Sequence, residues 1–188
     1  MRPQWKNPFR IADLESEWES IPTTPGVYII MRGTSIQRVG GTDANGIIYA
    51  GKALNIRRRL NQFWSADHIA SDLLRMQLPV ACAVLGCKVS TEDKLYPILS
   101  RLFARIATPL KKHELDGAER MVLTAYLLQF GELPPLNFSM RSRWEDMPSK
   151  ADLRWAEQGM EVTTGRRSIM KTRPGSNPFT TLRLPLNR

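Results

Sequence analysis

Cysteine is scarce in this sequence: among 188 residues only Cys82 and Cys87 occur, both inside the apolar stretch VACAVLGCKV. Neither has the neighbours or spacing of a zinc site, so both are read as reduced packing residues, since a free thiol behaves as a small hydrophobe. Long apolar runs are missing too. None approaches the roughly 20 residues that a bilayer span requires, and the opening MRPQWKNPFR lacks the apolar core of a secretory signal. The expectation is a soluble, cytoplasmic protein with no membrane partner. No internal repeat is present. Acidic residues are in short supply, 18 against 27 Lys and Arg, which leaves a formal charge of +9. Such an excess points to a polyanionic partner, because each phosphate neutralised releases condensed counterions and makes binding depend on salt. Nucleic acid is the natural candidate; the plainer reading is a charged surface that maintains solubility.

What is present is ordinary globular composition, 42% hydrophobic and 24% charged, on a chain long enough for one domain plus an extension. IADLESEWES at 11–20 has helical spacing and stops at IPTTPG, where two prolines forbid continuation. GVYIIM, rich in β-branched and aromatic residues, is predicted as a strand, and IIYA as a second strand reached through a glycine-rich turn containing Asn45-Gly46. Helical patterns follow over 54–64 and 67–77. Residues 80–89 are the best third strand, with a buried helix as the alternative for so short an apolar run, and 92–107 reads as a further helix despite Pro97. The cleanest helix is DGAERMVLTAYLLQFG at 116–131, with acidic residues at its start and Gly131 after its last apolar residue. Beyond 138 the large aliphatics thin out and basic residues prevail, apart from a short helix around SKADLRWAEQ capped by Ser149. This divides the chain into a helical lead-in (1–21), a central domain (22–138) and a basic C-terminal arm (139–188).

The two strands end in a recognisable pattern. GVY at 26–28 and YAG at 49–51 stand where the GIY-YIG nuclease superfamily carries its two name motifs, and YAGKALNIRRRLNQF is similar to the form found in the nuclease of bacterial excision repair. The resemblance covers about residues 22–138. It implies a small three-stranded antiparallel sheet flanked by helices, an α/β domain that cleaves DNA phosphodiester bonds with Mg²⁺ or Mn²⁺. By register, Tyr28, Tyr49, Lys52 and Arg59 fall on catalytic positions. The metal-holding glutamate is carried over to Glu119 in ERMVL, with Glu114 as the alternative, and the exit asparagine to Asn137 in PPLN. Gly51, Asn55, Arg57, Phe63 and Asn137 are assigned to substrate binding. Phe63 departs from the family, which usually has His or Tyr there; a phenyl ring cannot donate a hydrogen bond to phosphate. His68, one turn further, is read as a cap or packing residue, with a donor substituting for Phe63 as the alternative.

Elementary chemistry is compatible with those assignments. Residues four apart share a helix face, which groups Asn55, Arg59 and Phe63 and sends Arg58 elsewhere. An arginine fork suits phosphate, a glycine beside a strand end lets backbone approach a substrate closely, and a single carboxylate suits a Mg²⁺ ion that keeps most of its waters. In this reading Tyr28 or Tyr49 acts as or relays to the general base, with Lys52 lowering the phenol pKa. Taken singly, each residue has a plain structural role available: packing tyrosines, a solvated arginine face, an acid at a helix start. The rivals to an endonuclease are a DNA-binding module that has lost efficient chemistry and an interaction protein whose basic arm meets an acidic partner.

Overall fold

The GVYIIM stretch forms the centre of the molecule. In the computed structural model, which describes residues 2–64, 102–137, 140 and 148–161 and, for Phe63 and Trp64, the backbone alone, strand β2 (Gly26–Met31) is buried at all six positions. Strands β1 (Phe9–Arg10), β3 (Ile36–Arg38), β4 (Gly41–Asp43), β5 (Ile47–Ala53) and β6 (Phe103–Ala107) complete the described strands. β1, β6, β2 and β5 form a four-stranded sheet in that order with every pairing antiparallel, and β3–β4 is a separate hairpin. Helices α1 (Ile56–Trp64), α2 (Leu115–Phe130) and α3 (Lys150–Met160) flank the sheet. The chain is thus an α/β protein with a small antiparallel sheet and helices, as expected. Among the described residues, no helix is long and apolar enough to cross a membrane.

Because successive strand residues face opposite ways, the sheet carries two cores. Tyr28 and Ile30 face a cluster with Ile56 and Leu60 of α1, Ile106 of β6, and Ile11 and Leu14. Val27, Ile29 and Met31 face Val122, Tyr126 and Phe130 of α2 and Trp155 and Met160 of α3. Between β2 and β5 the register slips by one, Ile30 facing Tyr49 and Met31 facing Ile47. Ile48 is therefore an extra, bulged residue, and Ile48 and Tyr49 both pack toward the α1 side.

Several expectations are revised. The lead-in is not one helix: Ile11–Leu14 and Trp18–Ser20 are short 3₁₀ turns, and Phe9–Arg10 adds an edge strand. The third strand of the central sheet is β6, inside the segment read as the end of a helix. Its side chains alternate, Ala104 and Ile106 toward one core and Phe103 and Ala107 toward the other, a period of two that pairing with β2 selects over the helical preference of Ala and Arg. The helix expected at 67–77, the strand at 80–89 and His68 lie outside the described residues. α2 and α3 follow their sequence signals. Gly131 closes α2 in the left-handed region at φ 75°, and Ser149 caps α3 by accepting from the Asp152 N–H at 3.2 Å.

α3 belongs to the packed body, although it lies in the segment read as a basic arm. Trp5 Nε1 donates to the Trp155 carbonyl at 2.9 Å, Trp155 Nε1 donates to the Pro3 carbonyl at 2.7 Å, and Arg105 Nη1 donates to the carbonyls of Gln158 (2.7 Å) and Gly159 (3.0 Å) at the end of α3. Trp5 rests directly on Gly159: a Cβ there would come 2.3 Å from the ring. Gly159→Ala is expected to destabilise the fold by about 1–3 kcal/mol through overpacking. Gly117→Ala in α2, whose nearest neighbour would be Met121 Cε at 3.9 Å, should instead stabilise by about 0.5–1 kcal/mol. Urea denaturation of the two variants checks the contrast.

Candidate functional site

Tyr28 and Tyr49 meet on the α1 side of the sheet with ring centroids 6.0 Å apart and planes inclined by 43°. Gly51, opposite Tyr28 in the ladder, makes this approach possible. A Cβ on Gly51 would lie 2.7 Å from Tyr49 Cε1 and 2.8 Å from the Tyr28 hydroxyl. The sequence placed Gly51 at a strand-to-helix turn to admit a substrate; it sits within β5, and its missing side chain admits the two phenols.

The phenols are unequal. Burial raises the pKa of Tyr28 well above the usual phenol range, its neighbour Tyr49 adds to the rise, and Tyr28 donates a hydrogen bond to Tyr49. Burial, followed by the charge of Glu119, also raises Tyr49, but there the bond from Tyr28 and the positive charges of Arg59 and Lys52 pull the other way. The lowering expected from Lys52 is the least of these influences and burial outweighs it. Tyr49 is nevertheless the phenol that yields its proton more readily, since its partner donates to it.

Arg59 enters from α1. Its charge acts on both phenols, and among the described residues its guanidinium has no ion pair or hydrogen bond. Its two neighbours differ. Arg58 is exposed. Arg57 donates from Nε to the Ile21 carbonyl at 2.8 Å and from Nη2 to the Glu19 carbonyl at 3.1 Å, and its guanidinium lies 5.5 Å from the centroid of the Trp18 ring. Arg57, expected to bind substrate, has its fork engaged in fixing the 3₁₀ turns against α1. Asn55 is likewise a cap: its Oδ1 accepts from the Arg58 N–H at 2.9 Å and starts α1. Phe63 lies in the last turn of the same helix.

From the other face of β5, Lys52 meets α2. Its Nζ holds Glu119 Oε2 and lies 2.7 Å from Asp116 Oδ1. Partial burial works against the ammonium charge, but the hydrogen bonds to Asp116 and Glu119 outweigh it and raise the pKa, so Lys52 stays protonated. Glu119 is the carboxylate beside the tyrosines, its charge acting on both phenols. Glu114 is elsewhere employed: its Oε2 accepts from the Lys111 N–H at 2.8 Å in a capping box ahead of α2. Asp116 was missed in the sequence. Its signal was its position three residues before Glu119, on the same helix face.

Among the described residues β5 is one of the two edge strands of the sheet, opposite β1. Tyr49 and Arg59 approach it from one face, Lys52 and Glu119 from the other, and Asn137 closes its outer side. Asn137 Oδ1 accepts from the Ala50 N–H at 2.9 Å, its Nδ2 donates to the Ala50 carbonyl at 2.8 Å, and Leu136 N–H donates to the Ile48 carbonyl at 2.9 Å. Asn137 thus fixes the segment that carries Tyr49 and Gly51; the amide expected to contact substrate is engaged by backbone. Against family models, curated proteins and solved structures alike, the chain finds no match.

The residues present suit a small hard cation. Glu119 and Asp116 offer carboxylate oxygens, Glu119 with 22% of its side chain exposed and Asp116 with 82%, and the negative charge there is already strong enough to hold an ammonium. No group of three or more metal-ligating side chains occurs among the described residues, so such a cation would keep most of its coordination sphere as water.

Proposed function

We propose that the protein is a GIY-YIG-type endonuclease that hydrolyses DNA phosphodiester bonds with a divalent metal. The observation that carries this reading is the convergence of Tyr28, Tyr49, Lys52, Arg59 and Glu119 from β2, β5, α1 and α2 on one edge strand. A scaffold does not require two adjacent phenols under the charge of both a carboxylate and an arginine that has no ion-pair partner among the described residues.

In this mechanism Arg59 offers its two-pronged donor set to the scissile phosphate and opposes the charge that accumulates on it. Tyr49 acts as the phenolate, stabilised by the hydrogen bond that Tyr28 donates to its oxygen, and becomes the neutral phenol when it takes a proton from the attacking water. Lys52 stays cationic and, before a metal binds, holds Glu119 at the site. Glu119 would hold Mg²⁺ or Mn²⁺, which supplies positive charge to the phosphorane and to the departing oxygen. Duplex affinity draws on the overall +9 charge, and most heavily on the chain after Glu161: Arg166, Arg167, Lys171, Arg173, Arg183 and Arg188 occur there without an acidic residue.

Phe63 favours a second reading, a binding module of the same architecture with weak chemistry, since phenyl supplies no donor. Incubation of the full chain with supercoiled plasmid separates them. Nicking with Mg²⁺ or Mn²⁺ and none with EDTA is the expected result; salt-sensitive DNA binding without nicking under any metal would select the binding module.

A further inference from the structure

One ammonium serves two carboxylates at this site, and the two are differently placed. Lys52 Nζ contacts both Glu119, whose side chain is largely buried, and Asp116, which stands in solvent one turn earlier on α2. An exposed carboxylate three residues from a metal-holding one would by itself add little, because exposed ion pairs are weak and screened. Its effect lies in what it does for Lys52. A cation arriving at Glu119 must take that carboxylate from the ammonium, and a partly buried ammonium left without an acceptor resists the exchange. Asp116, already 2.7 Å from Nζ, keeps Lys52 paired while Glu119 changes partner.

We propose that Asp116 is a positioning residue that receives the Lys52 ammonium when Glu119 takes up a divalent cation, and so sets the cation affinity of the site. This rests on the reading of Glu119 as the cation-holding carboxylate. Two other roles for Asp116 predict different behaviour. A direct ligand, or a negative charge that merely favours the start of α2, would act whether or not Lys52 is present.

The test is a double-mutant cycle read by cation binding alone. Full-length protein without DNA is titrated with Mn²⁺, and free Mn²⁺ is followed by electron paramagnetic resonance. Lys52→Met is expected to tighten binding about tenfold, as removal of a competing charge in direct contact should. Asp116→Asn is expected to weaken binding about tenfold in the native background, but less than about twofold in the Lys52→Met background. Asp116→Glu should restore most of the loss. Thermal melts of each variant establish that helix α2 is retained. An equal loss from Asp116→Asn in both backgrounds, or no loss in the native one, would overturn the proposal. Absence of Mn²⁺ binding in both the native chain and Lys52→Met would overturn the metal-holding role of Glu119 itself, and this inference with it.

Discussion

Alanine at Arg59 is expected to lower plasmid nicking by about 10²–10³-fold, the usual effect of removing one donor aimed at developing charge, while alanine at Arg58 leaves the rate within about twofold. The two residues are neighbours in sequence and identical in chemistry, so the comparison isolates position. Arg59 projects toward the phenol pair and influences both hydroxyls, and its guanidinium has no described partner to lose. Arg58 is exposed on another face of α1. Arg57→Ala supplies a third outcome: it should reduce stability, by about 1–3 kcal/mol for the two carbonyls left without their charged donor. Single-turnover nicking together with urea denaturation of the three variants distinguishes these effects. Similar rate losses from Arg58→Ala and Arg59→Ala would reduce the site to a generic basic patch.

Glu119→Gln is expected to abolish metal-dependent nicking, a loss of about 10²-fold or more, while leaving the fold intact and duplex binding equal or tighter. The amide preserves volume and one carbonyl oxygen but removes the charge that a hard divalent ion requires. Lys52 retains Asp116 as a partner in this variant, so no ammonium is stranded and stability should change little. Removal of one negative charge beside the proposed phosphate position also lessens repulsion of DNA. The measurements are nicking with Mg²⁺ and filter binding in EDTA on the same preparation. Nicking at the native rate by Glu119→Gln would sink the metal assignment.

Much of the scaffold was legible because local signals agreed with packing. β2 shows the β-branched run of a fully buried strand, α2 carries its terminating glycine, and α3 carries its serine cap. β6 was not legible. Five residues of period two are too few to outweigh helical preference until β2 supplies hydrogen bonds to satisfy. Of the candidate site, the five proposed catalytic residues could be named in advance, since each stands at its place in a motif. Their supporting shell could not. The pairing of Tyr28 with Gly51 that lets the Tyr49 ring reach it, the use of Arg57 on distant carbonyls and the pairing of Asn137 with Ala50 all join segments remote in sequence. Asp116 was passed over because an acid in the first turn of a helix already has an ordinary explanation.

The Leu136–Asn137 segment has a bearing on how separate copies of the chain behave toward one another. An uncovered edge strand is a template on which another molecule's backbone can add. β5 would be such a template, apolar through Ile47, Ile48 and Ala50, were its outward groups at Ile48 and Ala50 not already taken by Leu136 and by the amide of Asn137. That amide imitates one residue of a fifth strand without being one. Among the described residues it ends the sheet where a further strand would otherwise begin, which leaves less of the strand that carries Tyr49 and Lys52 open to pairing with another copy.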